Sequence, residues 1–112
     1  MAPYPPGVLA TVTKPAGGSG VKHVATCVSG IVGNYSTSQT YPGSLELFDG
    51  STLVLQWVVN APVAPNGAFA TGSFSLCDLN VSGSPNTPMT LKFSGSNNNV
   101  QEWVSLVGYD GQ

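Results

Sequence analysis

The chain has 112 residues, 41% of them hydrophobic but only 7% charged: three Lys, no Arg and five acids, for a net charge of −2. A typical soluble domain carries about 25% charged residues. Three scattered Lys make no basic patch, which excludes nucleic-acid and membrane-surface partners, and no run approaches the ~18 apolar residues of a membrane span.

One domain is the expectation for this length. The polar character comes from 13 Ser, 9 Thr and 8 Asn, with 14 Gly and 9 Pro. Ser and Thr on strands with Gly, Asn and Pro in turns is an all-β composition. Met1–Gly7 holds three Pro in seven residues and reads as an extended arm ahead of a domain over 8–112. Pro3, Tyr4, Pro5 and Pro6 are its candidate assembly contacts. This start lacks a basic region followed by an apolar one, so no secretory signal is visible. That points to synthesis in a cytoplasm or to a trimmed mature form.

Val8–Thr13 reads as a first strand, Lys14–Gly20 as a flexible turn, and Val21–Val32 as a long β-branched strand. In that strand Val24, Val28 and Val32 share one face while Ala25, Cys27 and Ile31 take the other. Gly33–Ser44 reads as a polar loop containing Tyr35 and Tyr41-Pro42. Leu45 and Leu47 alternate before Asp49-Gly50, and Leu53, Leu55, Trp57 and Val59 after it. This predicts a hairpin with a type I′ turn, with Trp57 in the core. Ala68–Leu76 follows as a strand with Phe69 and Phe74 on opposite faces, and Val81-Ser82 as a brief pairing. Met89, Leu91 and Phe93 alternate cleanly, Asn97–Asn99 is a tight turn, and Val100–Tyr109 closes the sheet. Seven to eight antiparallel strands with no helical period make a β-sandwich, the jelly roll being the expected variant.

Chemistry has few candidates. His23 is the single histidine; a Cys–His nucleophilic pair would have to use Cys77, and a satisfied structural histidine is the better reading. Glu46 and Glu102 could form a carboxylate pair, but each reads as pointing to solvent or pairing with a Lys. Asp49, Asp78 and Asp110 lack calcium-loop spacing and read as turn caps. Gly17–Gly20 lacks the Lys-Ser/Thr and helix of a phosphate loop. Asn34-Tyr35-Ser36 and Asn80-Val81-Ser82 match the glycosylation pattern no more often than chance provides. Cys27 and Cys77 allow one disulfide, but with no visible signal they read as two reduced, half-buried thiols. No cofactor or metal is expected, and the chain reads as non-enzymatic. Trp57, Trp103, Tyr35, Tyr41 and Tyr109 could offer a sugar platform; Tyr35 and Tyr41, in a loop, are the candidate ligand-stacking pair.

A nearly uncharged β surface is hazardous for a free monomer and makes sense if other subunits cover it. A homo-oligomer is therefore expected, with the Pro-rich arm lying across a neighbour.

Three stretches, LELFDGSTLVLQWVVNAP, FSLCDLNVSGSPNTPMTLKFSG and WVSLVGYDGQ, resemble a group of small proteins of tailed bacteriophages. Those read as strand–DG–strand, an SLxxLNVxGSxNTxMTLxF-like stretch and a closing VSLxGYD. The likeness spans about residues 21–111; the Cys residues are not part of the shared pattern, and neither is the arm. The resemblance implies a virion structural protein, with trimeric capsid decoration (cement) proteins as the nearest analogue. Its partners would be its own copies and the major capsid protein, at the capsid surface after synthesis in the host cytoplasm. It supplies no catalytic residues. The alternative is a tail-associated module that binds a receptor or carbohydrate.

Overall fold

A computed structural model describes residues 9–65, 69–95 and 98–112. The arm residues Pro3, Tyr4, Pro5 and Pro6, and Asn97 of the expected asparagine turn, lie outside these residues.

The regular structure is all β. In chain order the strands are β1 (Thr11–Lys14), β2 (Lys22–Asn34), β3 (Tyr41–Asp49), β4 (Thr52–Ala61), β5 (Ala70–Leu76), β6 (Val81–Ser82), β7 (Met89–Phe93) and β8 (Val100–Gly111). All pairings are antiparallel. One sheet has the order β1-β7-β3-β4; in the other, β2 lies between β8 and, along its opposite edge, β5 and then β6. The chain crosses between sheets at every connection except β3–β4 and β5–β6. The two sheets enclose one core, as the alternating patterns demand.

That core is built by alternation. Met89, Leu91 and Phe93 of β7, Leu45 and Leu47 of β3, Val59 and Ala61 of β4, and Val100, Val104 and Leu106 of β8 all point inward. Trp57 packs against this cluster and stacks on Phe74, ring centroids 5.3 Å apart. As expected, Phe69 and Phe74 take opposite faces: Phe74 packs against the core cluster, Phe69 lies outside it and is 41% exposed.

Two irregularities correct the simple alternation. On β2 the register against β8 jumps between Ala25 and Cys27, leaving Thr26 as an extra residue. Such a bulge changes which residues face inward. Ala25 thereby joins Val28 and Val32 in the core cluster, rather than Val24. On β4, Leu47 pairs with Leu55 and Phe48 with Leu53, so Val54 is extra. Leu53 is turned out and is 44% exposed, while Leu55 stays against the core.

The hairpin turn is also different from the expectation. Asp49 pairs with Thr52, so the loop is Gly50-Ser51, and of these only Gly50 has a positive φ, 61°. That is the sign pattern of a type II′ turn, in which glycine takes the first central position. Asp49 instead ties the hairpin to the segment before β7, its carboxylate accepting from the Ser84 N–H at 3.0 Å and from the Ser84 hydroxyl at 2.7 Å.

Cys27 and Cys77 are joined as a disulfide, not left as free thiols. The bulge explains why. Leu76 pairs with Val28 and Val81 with Ala25, so residues 77–80 on one side face only Thr26 and Cys27 on the other. Asp78 absorbs the excess with φ 67°. Cys77 is thereby brought beside Cys27, with Cα atoms 4.1 Å apart.

Candidate functional site

The Gly33–Ser44 segment is not one loop. β2 runs on to Asn34 and β3 begins at Tyr41, which separates the two tyrosines singled out as ligand-stacking candidates. Tyr41 is 5% exposed, and its hydroxyl donates into a buried network with Gly95 and Glu102. It has no face free for a ligand. Tyr35 is 44% exposed.

Tyr35 has different companions. Its ring lies 4.7 Å from that of Phe69, and Phe69 lies 6.1 Å from Trp103, edge to face. The Tyr35 hydroxyl reaches Gln101 Oε1 at 3.3 Å. Phe69 rests on Gly33: a Cβ built at Gly33 would come within 1.8 Å of the Phe69 ring. The three rings stand on the outer face of the second sheet. There, alternation places Ser29 and Ile31 of β2, Thr71, Ser73 and Ser75 of β5, and Gln101, Trp103 and Ser105 of β8. Around the rings that face carries hydroxyls, one amide and Ile31, and no charged side chain; Lys22, in register with Gly111, lies at its far end. Trp103 was among the possible platform residues; Phe69 was not, because a lone aromatic beside Gly67-Ala68 gives no periodic signal. Gly33 could have suggested it, since a glycine within a strand leaves a gap that an aromatic ring can cover.

The edges of the first sheet differ sharply. β1, at one edge, has four residues including Lys14 and is followed by Pro15. β4, at the other, has ten residues with no charge and no Pro before Pro62. Along it Leu53 is 44%, Val54 40% and Val58 71% exposed. Apart from Lys14 on the β1 edge, charge on this sheet sits inboard, where Glu46 pairs in register with Lys92 and the Lys92 ammonium lies 4.7 Å from the Phe48 ring centroid.

The titratable groups fall apart into separate structural roles. His23 is 8% exposed; its Nδ1 lies 2.6 Å from Asp110 Oδ1 and its Nε2 2.6 Å from the Pro15 carbonyl oxygen. It borders a cavity of about 470 Å³ lined also by Lys14, Met89, Leu106 and Tyr109. Cys77 is committed to its disulfide, so no Cys–His pair exists here. Glu46 accepts from Gln56 at 3.2 Å on the surface. Glu102, expected at the surface, is instead fully buried; the two carboxylates do not form a pair. No cluster of three or more His, Cys, Asp or Glu able to hold a metal occurs among the described residues.

No family model matches the chain, and neither a curated protein nor a solved structure does.

Proposed function

We propose that this chain is a non-enzymatic structural protein of a tailed-bacteriophage virion, which self-associates and clamps adjacent major-capsid subunits as a head decoration protein. The observation that carries the reading is the contrast between the sheet edges. An exposed edge strand offers unpaired N–H and C=O groups, and monomeric proteins blunt such edges with Lys, Pro or short length. Each of the two edges is followed by a Pro, but β1 is also short and carries Lys14, whereas β4 is ten residues long, has no charged residue and adds exposed Leu53, Val54 and Val58. A strand of another subunit is the natural cover. The three stretches that resemble phage proteins form the β3–β4 hairpin, the β5–β7 run and β8, so the likeness includes this edge. A trimer is the assembly we favour, and clamping through many weak contacts would gain by avidity.

Light scattering at micromolar concentration tests the reading. The wild-type chain should scatter as an oligomer of the 11.5 kDa subunit, and Val54→Lys with Val58→Lys should return it to the monomer. A wild-type monomer that does not bind undecorated phage heads would overturn it.

A second reading has an observation of its own. The convergence of Tyr35, Phe69 and Trp103 in an uncharged, hydroxyl-rich part of the outer face suits the apolar faces and hydroxyls of a neutral glycan. This is the tail-associated or carbohydrate-binding alternative, with Phe69 and Trp103 in place of Tyr41. Retarded migration in gels containing neutral polysaccharide, abolished by Trp103→Ala, would favour it over assembly alone.

A further inference from the structure

Three buried polar groups and the carbonyl of half-buried Gly95 meet where β3, β8 and the segment before β1 come together. The Ala10 N–H donates to Glu102 Oε1 at 2.9 Å. The Tyr41 hydroxyl oxygen lies 2.9 Å from Glu102 Oε2 and is also hydrogen-bonded to the Gly95 carbonyl oxygen. Ala10 is held from its other side too, its carbonyl accepting from the Phe93 N–H at 3.3 Å. Glu102 and Ala10 are both 0% exposed.

Counting hydrogens decides the state of this cluster. A phenol has one hydrogen to give and a carbonyl has none. If Glu102 is ionised, Tyr41 faces two acceptors and one of them goes without. A buried polar group left so costs about 1–3 kcal/mol, and an unpaired buried carboxylate more. If Oε2 carries a proton, that hydrogen goes to Tyr41, the Tyr41 hydrogen goes to Gly95, and Ala10 still serves Oε1. Every donor then has an acceptor.

Among the described residues no cation is at hand to favour the ionised form. The chain has three Lys. Lys92 of β7 lies over the Phe48 ring, in register with Glu46. Lys14 of β1 lines the cavity beside His23. Lys22 of β2 is paired with Gly111, at the opposite end of β8 from Glu102. On β3 the only carboxylates are Glu46, bonded to Gln56, and Asp49, bonded to Ser84. On β8 the other one is Asp110, bonded to His23. The side chains that β2 and β7 send inward nearby, Val32 and Phe93, are apolar. Burial is the largest influence on Glu102 and raises its carboxyl above the ordinary range, although the bonds from Ala10 and Tyr41 act the other way. Burial first, and then the neighbouring Glu102, also hold the Tyr41 phenol in its neutral form.

We propose that Glu102 is a neutral carboxylic acid in the folded protein, and that its proton closes a hydrogen-bonded chain fastening the segment at Ala10 to β8, β3 and Gly95. Removing the proton loosens the seat of that segment. The sign follows from linkage. An unfolded Glu titrates near 4.3, and the folded group holds its proton to higher pH. The stabilisation is therefore complete below about pH 4.3 and is lost as pH rises toward the folded-state value.

The chain contains only two glutamates, Glu46 and Glu102, so labelling the glutamate carboxyl carbon with carbon-13 gives two resonances, assigned with Glu46→Gln. The Glu102 signal should titrate above the ordinary ~4.3; a midpoint at or below that overturns the proposal. Glu102→Gln presents the same shape, with an amide N–H₂ for the acid O–H. The ratio of wild-type to Glu102→Gln unfolding constants should rise about tenfold per pH unit between the two midpoints; a ratio that does not change with pH overturns it. Ala10 amide protection should fall in the wild type across the midpoint and stay level in Glu102→Gln. Equal behaviour would remove the fastening role. The carbon-13 titration uses the wild-type chain and decides the matter even if the variant does not fold. None of these readouts depends on oligomeric state or on binding to heads or glycans.

Discussion

Cys77 is bonded to Cys27 at the one level where β2 is irregular along both edges, with Thr26 extra toward β8 and residues 77–80 crowded on the other side. The ladder supplies little cohesion there: the Thr26 hydroxyl donates to Val107 O at 3.2 Å and the Leu79 N–H to Thr26 O at 3.1 Å. The cross-link spans 50 residues, for which chain entropy alone gives an upper figure of about 4 kcal/mol. Reduction, or replacement of both cysteines by Ala, should cost roughly 2–4 kcal/mol. Calorimetry with and without reductant measures it. β6, only two residues long, should lose its amide protection first.

The sequence was most legible where a strand has one buried face. Met89, Leu91 and Phe93 alternate with Thr90 and Lys92, and the structure buries the first three. The β3–β4 hairpin was equally plain. Its bulge was not, because Leu53-Val54-Leu55 is apolar at every position and so carries no phase. Tyr41 was misplaced because Pro42-Gly43 reads as a breaker. Pro42 instead occupies a β3 position paired with Asn60, while the Gly43 N–H donates to Asn60 Oδ1 at 3.2 Å. Glu102 is the instructive miss. It shares its phase with Val100, Val104 and Leu106, which are all buried. The period placed it inside; the prejudice that an acid faces water placed it outside. The disulfide was invisible because it depends on the β2 bulge and the extra residues 77–80, and not on spacing.

Two glycines should respond very differently to gaining a methyl group. At Gly33 the added Cβ meets the Phe69 ring, an exposed side chain that can swing aside. At Gly72 it comes within 1.9 Å of the Asn60 carbonyl oxygen, which is backbone of the facing sheet. Gly33→Ala should cost about 1 kcal/mol or less, while Gly72→Ala forces β4 and β5 apart and should cost more than ~2 kcal/mol. Denaturant midpoints rank the two. Gly33→Ala should also alter Trp103 fluorescence, since Phe69 is its ring neighbour.

His23 binds the strap after β1 to the end of β8. Replacing it with Ala removes partners from the Pro15 carbonyl and from Asp110, and a loss of about 1–3 kcal/mol is expected. Asp110→Asn should cost distinctly less, because the Asp110 side chain is 60% exposed and solvent screens that pair. Hydrogen exchange locates the effect: in His23→Ala the amide of Val21, bonded to Gly18 O at 3.1 Å, should lose protection. Equal effects from both variants would mean that the exposed pair, rather than the Pro15 bond, secures the strap.

Tyr41→Phe isolates the middle of the buried chain. The ring still fills its place, so little packing is lost, but the Gly95 carbonyl and Glu102 Oε2 both lose their hydrogen-bond partner. A cost of about 1–3 kcal/mol at neutral pH is expected, against roughly 0.5 kcal/mol for a hydroxyl whose partners water could replace. The double variant with Glu102→Gln separates the contributions. Because the two side chains are in direct contact, their effects should be non-additive by about 1 kcal/mol or more. Because Tyr41 is hydrogen-bonded to Glu102 Oε2, the pH range over which stability falls above about pH 4.3 should differ between Tyr41→Phe and the wild type. Urea unfolding of the two proteins, stepped through the acid and neutral range, reads this directly; coincident pH profiles would mean that Tyr41 and Glu102 are neighbours without exchanging a hydrogen.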